Sequence, residues 1–193
     1  MTGAPQHQTT IRAMPAVVDR ESWLRERSKL LAREKAHTRE GDAIAAARRR
    51  LPMTEVAPVK LVGADGPTPL HEIFEGRSQL LVFKHMFHVG KPIEQQCEGC
   101  TINLFTFQEP VYLEARDITF VVFSEGPYDE LVAFTEFMGY RMPWYSTYGV
   151  DEPAIRGGGS VSAYLRNGKR VFQTYETTDR GTESMITSVV SCK

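Results

Sequence analysis

Apolar residues along this chain change their spacing near residue 52, dividing it into a helical segment and a region of alternating strands and helices. Residues 1–18 contain Pro5 and Pro15 and no usable periodicity, which predicts a flexible arm. Asp19 then offers an N-cap, and from Arg20 to Arg50 there is no proline and one glycine, Gly41. The prediction is one long helix, an N-terminal extension over 19–51. Its apolar residues Trp23, Leu24, Leu30, Leu31 and Ile44 form a narrow stripe among arginines and glutamates. Such a stripe suits a helix lying on a surface or pairing with a second copy of the chain.

From 52 to 193 the pattern predicts a second, larger domain. Val56 to Val62 reads as a broken β stretch, Ala64-Asp65-Gly66-Pro67 as a turn, and Pro69 to Phe74 as a short helix. Gln79 to Phe87 is apolar through its first half, as in a strand covered on both faces, and the loop His88 to Gln96 follows. Beyond Cys97-Glu98-Gly99-Cys100, Thr101 to Ala115 reads as a helix that Pro110 must kink or break. Asp117 to Ser124 is a strand, Tyr128 to Met138 has apolar residues at helical spacing, and Gly139 closes that helix. A short strand is expected at Trp144 to Thr147. Val161 to Leu165 and Val171 to Tyr175 flank Asn167-Gly168, the signal of a hairpin with a type I′ turn, and Gly181 to Val190 would be a closing helix. Alternating βα units followed by a hairpin predict an α/β fold with a mixed sheet flanked by helices.

Composition changes this picture little. Among 193 residues the net charge is -1, so no overall field attracts nucleic acid or anionic lipid. The basic run Arg48-Arg49-Arg50 falls where a helix C-terminus favours cations, and no aromatic interleaving suggests a nucleic-acid surface. No apolar run reaches the roughly 20 residues that span a bilayer, and the polar opening MTGAPQHQTT lacks the order of a secretion signal. A cytoplasmic location without membrane contact is expected.

Three cysteines matter more. Without an export signal, Cys97 and Cys100 read as redox or metal chemistry rather than as a structural staple, and Cys192 as a plain terminal thiol. A Cys-x-x-Cys that follows an apolar strand and opens a helix places the first sulfur near unpaired backbone N–H groups, which favour a thiolate. Cys97 would attack, and Cys100, one turn on, would resolve the mixed disulfide. No bound cofactor is needed for that chemistry. Glu98 sets a negative charge beside the sulfur and predicts a reductant, nearer about -270 mV than about -120 mV, unless Lys84, Lys91 or His88 points inward to offset it. A metal reading competes, because His85 and His88 with Cys97 and Cys100 make up the ligand set of many zinc sites. Trp144, with Tyr145 and Tyr148 nearby, is either core or an aromatic wall beside the site.

The strings REKAHTREGDAIAAARRRLP, CEGC, DITFVVFS and MGYRMPW, with the closing Tyr175-Glu176-Thr177-Thr178-Asp179-Arg180-Gly181, resemble the thioredoxin-like family catalogued as domain of unknown function 899, from about Trp23 to Met185. The resemblance implies a thioredoxin-like fold and dithiol-disulfide oxidoreductase activity on a disulfide-containing protein or small thiol compound. It also makes Tyr175 and Arg180 supporting site residues. Three features depart from the pattern. Lys84-His85 stands where the family has histidine then phenylalanine, the chain ends at Cys192-Lys193, and Gly159-Ser160 precedes Val161 where thioredoxins carry a cis-proline. A peroxiredoxin nucleophile resembles Pro-x-x-x-Thr-x-x-Cys, and here Gly90 and Glu94 occupy those places, which argues against that peroxidase chemistry. The rival function is a non-catalytic binding module with the dithiol idle or holding zinc.

Overall fold

The computed structural model describes residues 14–107 and 109–182, apart from the side chains of Thr106 and Arg180. The chain divides into two compact units, Met1–Arg50 and Leu51–Lys193.

The first unit is built on helix α1, Arg20–Arg48. Asp19 caps it as its spacing predicted, accepting the Ser22 backbone N–H at 2.8 Å. Gly41 does not interrupt it, and none of its side chains is fully buried.

The second unit is an eight-stranded sheet in the order β1-β8-β7-β4-β5-β6-β2-β3. Its first two strands are β1, Thr54–Val56, and β2, Lys60–Gly63. Pro58, which has no N–H to donate, falls between them, and they pair at opposite sides of the sheet. β3, Gly66–Pro69, folds back on β2 in register Lys60 to Pro69. The short helix expected over Pro69 to Phe74 is therefore absent: Pro67 and Pro69 hold extended backbone, and turns follow.

β4, Gln79–His85, and β5, Ile118–Ser124, lie parallel at the centre. Between them come α2, Glu98–Leu104, a 3-10 turn at Phe105–Phe107, and α3, Val111–Glu114, which starts after Pro110. α4, Tyr128–Met138, ends on Gly139 at φ 66°, the left-handed stop its sequence predicts. β6, Trp144–Ser146, runs parallel to β5. β7, Ser160–Asn167, is antiparallel to β4 and forms a hairpin with β8, Arg170–Thr178. At that turn only Gly168 has positive φ, at 62°, while Asn167 pairs with Arg170. A glycine alone in the first loop position marks a type II′ rather than the expected type I′ turn.

The order β8-β7-β4-β5, with β4 and β5 parallel, β7 and β8 antiparallel, and the cysteine helix leaving β4, is the thioredoxin-like arrangement. Strand alternation splits the core in two. One face buries Leu80, Val82, Val121, Phe123 and Tyr164 with Leu61, Phe74 and Ile155. The other buries Phe83, Phe120, Val122 and Val161 with Cys100, Leu104, Leu131, Phe134 and Trp144. The expected closing helix lies, from residue 183 on, outside the described residues, as does Cys192. Among the described residues no helix is long and apolar enough to cross a membrane.

Candidate functional site

The dithiol lies on the second face, above the C-terminal end of β4. Cys97 is the N-cap of α2 and is half-buried, and its Sγ lies 3.5 Å from the Cys100 backbone nitrogen. Its carbonyl accepts from the Thr101 N–H at 3.0 Å and from the Thr101 hydroxyl at 2.9 Å, fixing the first turn. The helix thus begins at Glu98, three residues before the predicted Thr101. Cys100 faces inward and is 3% exposed. Burial pushes its thiol up to about 12, and the neighbouring Cys97 adds to the effect, while backbone hydrogen bonds at Met86 and Gly159 oppose it. One sulfur is accessible and the other is held protonated beneath it.

The loop leading to Cys97 is pinned by a residue the sequence did not single out. Gln96 is buried and accepts the His88 backbone N–H at 2.8 Å, and its amide donates to the His88 carbonyl at 3.0 Å and the Lys91 carbonyl at 3.1 Å. Gly90 also donates to Glu130 of α4 at 2.8 Å. Nothing in the sequence sets Gln96 apart from the adjacent Gln95, so this anchor becomes visible only in the folded loop.

Facing the dithiol across β4 is the glycine run Gly157-Gly158-Gly159. A Cβ on Gly158 would fall 2.9 Å from the Met86 Cα and 3.0 Å from its nitrogen, so only glycine lets this backbone approach. Gly159 donates to the Lys84 carbonyl at 2.6 Å. All described peptide bonds here are trans. The position where thioredoxins carry a cis-proline is filled by backbone contact instead.

His85 and Lys84 diverge by strand alternation. His85 points to the dithiol face and is fully buried, its ring 5.1 Å from Trp144 and 5.4 Å from Phe134. Neither of its nitrogens has a hydrogen-bond partner. Burial, with a smaller contribution from His88, lowers its pKa to about 4, so it is neutral at pH 7. Tyr140 bridges this aromatic group to α2: its ring stacks 5.8 Å from Trp144, and its hydroxyl donates to the Thr101 carbonyl at 3.3 Å.

Lys84 points to the opposite face and is 1% exposed. Its Nζ donates to Glu176 Oε1 at 2.8 Å and to the Arg156 carbonyl at 3.2 Å. The Ser160 and Ser162 hydroxyls donate to the same carboxylate oxygen at 3.0 and 3.1 Å. Lys84 therefore does not offset the charge of Glu98.

The other sequence-predicted residues scatter. Trp144 is 6% exposed and belongs to the core cluster that contains Cys100. His88 is exposed and serves the loop through its backbone. Tyr175 is half-buried opposite Ala163, on the dithiol face of the sheet. Arg180 lies in the 3-10 turn Asp179–Gly181, with its side chain outside the described residues. The zinc set is corrected: among the described residues no group of three or more His, Cys, Asp or Glu side chains could hold a metal. His85 is sealed among aromatic rings while His88 faces solvent, so Cys97, Cys100, His85 and His88 do not converge.

No curated protein matches the chain. Solved structures with partial similarity include a yeast mitochondrial 1-Cys peroxiredoxin, at TM-score 0.45 and 12% identity over 67% of each chain. The peroxidoxin BcpB of Mycobacterium tuberculosis matches at TM-score 0.45 and 16% identity, over 67% of this chain and 86% of its own. The family profile described as "Bacterial protein of unknown function (DUF899)" matches residues 12–190, which is nearly the whole sequence, and the chain belongs to that family.

Proposed function

We propose that this protein is a thiol-disulfide oxidoreductase in which Cys97 attacks and Cys100 resolves. The observation that carries the reading is the asymmetry of the pair. A half-buried sulfur caps α2 within 3.5 Å of the Cys100 N–H, and the second thiol is buried and held protonated beside it. The Cys97 thiolate attacks one sulfur of a disulfide R–S–S–R′, and R′S⁻ leaves and takes a proton. Cys100 then gives up its proton to solvent, and its thiolate attacks the Cys97 sulfur, releasing RS⁻. Two electrons pass to the substrate, and the protein is left with a Cys97–Cys100 disulfide. A thiol reductant regenerates the dithiol by the reverse exchange. The substrate is a protein or small-molecule disulfide that reaches Cys97 from solvent.

Reduction of insulin disulfides by the full chain tests this reading, with Cys97→Ser expected to abolish turnover. Cys100→Ser should instead accumulate a mixed disulfide at Cys97, visible as a mass increase that a reductant removes. Equal insulin reduction by wild type and Cys97→Ser would end the proposal. Glu98 is exposed in the first turn of α2 and supports the reducing direction. A midpoint above about -200 mV in glutathione buffers would overturn that direction.

A further inference from the structure

Lys84 is buried on the face of the sheet away from the dithiol, and the exchange chemistry makes no direct use of it. Burying an ion pair is costly, and an apolar pair in place of Lys84 and Glu176 would serve stability as well. An apolar side chain cannot, however, hold a carbonyl. Lys84 grips the segment 156–159 at both ends: its Nζ donates to the Arg156 carbonyl at 3.2 Å, and its own carbonyl accepts the Gly159 N–H at 2.6 Å. Between those points Gly158 rests on the Met86 backbone, with no room for a Cβ. Met86 and Gly159 are in turn the residues whose backbone hydrogen bonds reach the Cys100 sulfur. We infer that Lys84, held by Glu176, is a positioning residue for the resolving step: from the opposite face of the sheet it fixes the segment that presents backbone donors to Cys100.

The segment needs such a hold. Gly157 and Gly159 both take positive φ, at 96° and 76°, and three consecutive glycines have more backbone freedom than any other tripeptide. Its other fastenings, from the Gly157 N–H to Glu125 at 2.7 Å and from the Arg156 guanidinium to Asp151 at 3.0 Å, are exposed to solvent. Lys84 is fixed far better. Its backbone pairs with Phe123 on one side and Ser160 on the other. Its ammonium meets Glu176 Oε1 at 2.8 Å, an oxygen that the Ser160 and Ser162 hydroxyls hold in place. Donors aimed at Cys100 favour its thiolate, the form that attacks the mixed disulfide. None of these contacts involves Cys97, so the first step should not feel their loss. The inference rests on the dithiol mechanism proposed above and assigns part of its second step to a residue outside the dithiol face.

The test separates the two steps. In a Cys192→Ser background only the two site thiols remain. The reduced full chain is mixed with one equivalent of 5,5′-dithiobis(2-nitrobenzoate). Attack by Cys97 releases one coloured thiolate and leaves a mixed disulfide. Cys100 then loses its proton to solvent and attacks the Cys97 sulfur, releasing the second thiolate and forming the Cys97–Cys100 disulfide. Lys84→Met should slow the second release about tenfold or more and leave the first within about twofold of the parent. Lys84→Met with Glu176→Leu leaves no buried charge and regains stability to urea, yet should keep the slow second release. A pair that merely stabilised the fold would let both recover. A second release as fast in the double variant as in the parent, or equal slowing of both releases, would overturn the positioning role alone. Absence of any second release from the parent would overturn the dithiol mechanism, and this inference with it.

Discussion

The Cys97 Sγ lies 3.5 Å from the backbone nitrogen of Cys100, and the Cys100 thiol beside it is buried and pushed up to about 12. At neutral pH the second cysteine is therefore doubly protected, by lack of access and by lack of thiolate. Iodoacetamide added to the reduced protein at pH 7.5 should label Cys97 at least about 100-fold faster than Cys100. Peptide mapping by mass spectrometry reads the ratio, and urea should erase it. Equal labelling in the folded protein would contradict the asymmetry on which the proposed mechanism stands.

His85 makes the protein sensitive to acid in a defined window. Its folded-state pKa is lowered to about 4 by burial first and the His88 charge second, from an ordinary value of 6.5. Between those limits the unfolded chain binds a proton that the folded protein refuses, so stability rises with pH from about 4 to 6.5. The depression corresponds to about 3 kcal/mol. His85→Phe fits among Phe134 and Trp144 and cannot protonate, so it should flatten this part of the stability profile. Urea unfolding at pH 7.0 and 4.5 measures it: the wild type should lose stability between the two, and the variant should lose markedly less.

The central architecture was legible because its signals are local. QLLVFKH and ITFVVFS are apolar and β-rich, Gly139 is a left-handed stop, and the cysteine pair opens a helix after a strand. What escaped depended on contacts distant in sequence. Pro69 to Phe74 has a composition that suits a short helix, but pairing of β3 with β2 keeps its start extended. Lys84 and His85 are neighbours in sequence, yet one pairs with Glu176, 92 residues away, and the other enters an aromatic core. Gln96 looked like one more polar loop residue, and its role depends on carbonyls that only the folded loop brings together.

Glu176 sets a second acid limit, with the same sign but at lower pH. Burial alone would raise its carboxyl pKa, but the hydrogen bond and charge of Lys84 and the Ser160 and Ser162 hydroxyls together bring it below the ordinary 4.5. A lowered carboxyl contributes stability above its unfolded pKa and loses it as pH falls through the folded value. This contribution should fade only below about pH 4.5. Removing the carboxylate strands Lys84, which is 1% exposed, without its counter-ion. Glu176→Ala should cost about 2–3 kcal/mol at pH 7, less than a fully buried pair because Glu176 is itself 35% exposed. Lys84→Met with Glu176→Leu should recover most of the loss in urea melts, since that pair leaves no buried charge behind.

Two glycines that look alike in sequence should respond in opposite ways to an added methyl group. At Gly41, inside α1, a Cβ would meet nothing within 4 Å. Gly41→Ala should stabilise its helix by about 0.5–1 kcal/mol through reduced freedom of the unfolded chain. At Gly158 the new Cβ would lie 2.7 Å from Met86 Cγ and within 3.0 Å of two Met86 backbone atoms. Met86 directly follows strand β4, whose pairing on both sides holds its position, so the Gly157-Gly158-Gly159 segment must move instead. Gly158→Ala should cost about 1–3 kcal/mol. It should also loosen the backbone contacts that Met86 and Gly159 make with the Cys100 sulfur. Thermal melts read the first effect, and faster alkylation of Cys100 in the still-folded variant reads the second. An unchanged labelling ratio would mean that this segment supports the sheet without shaping the dithiol.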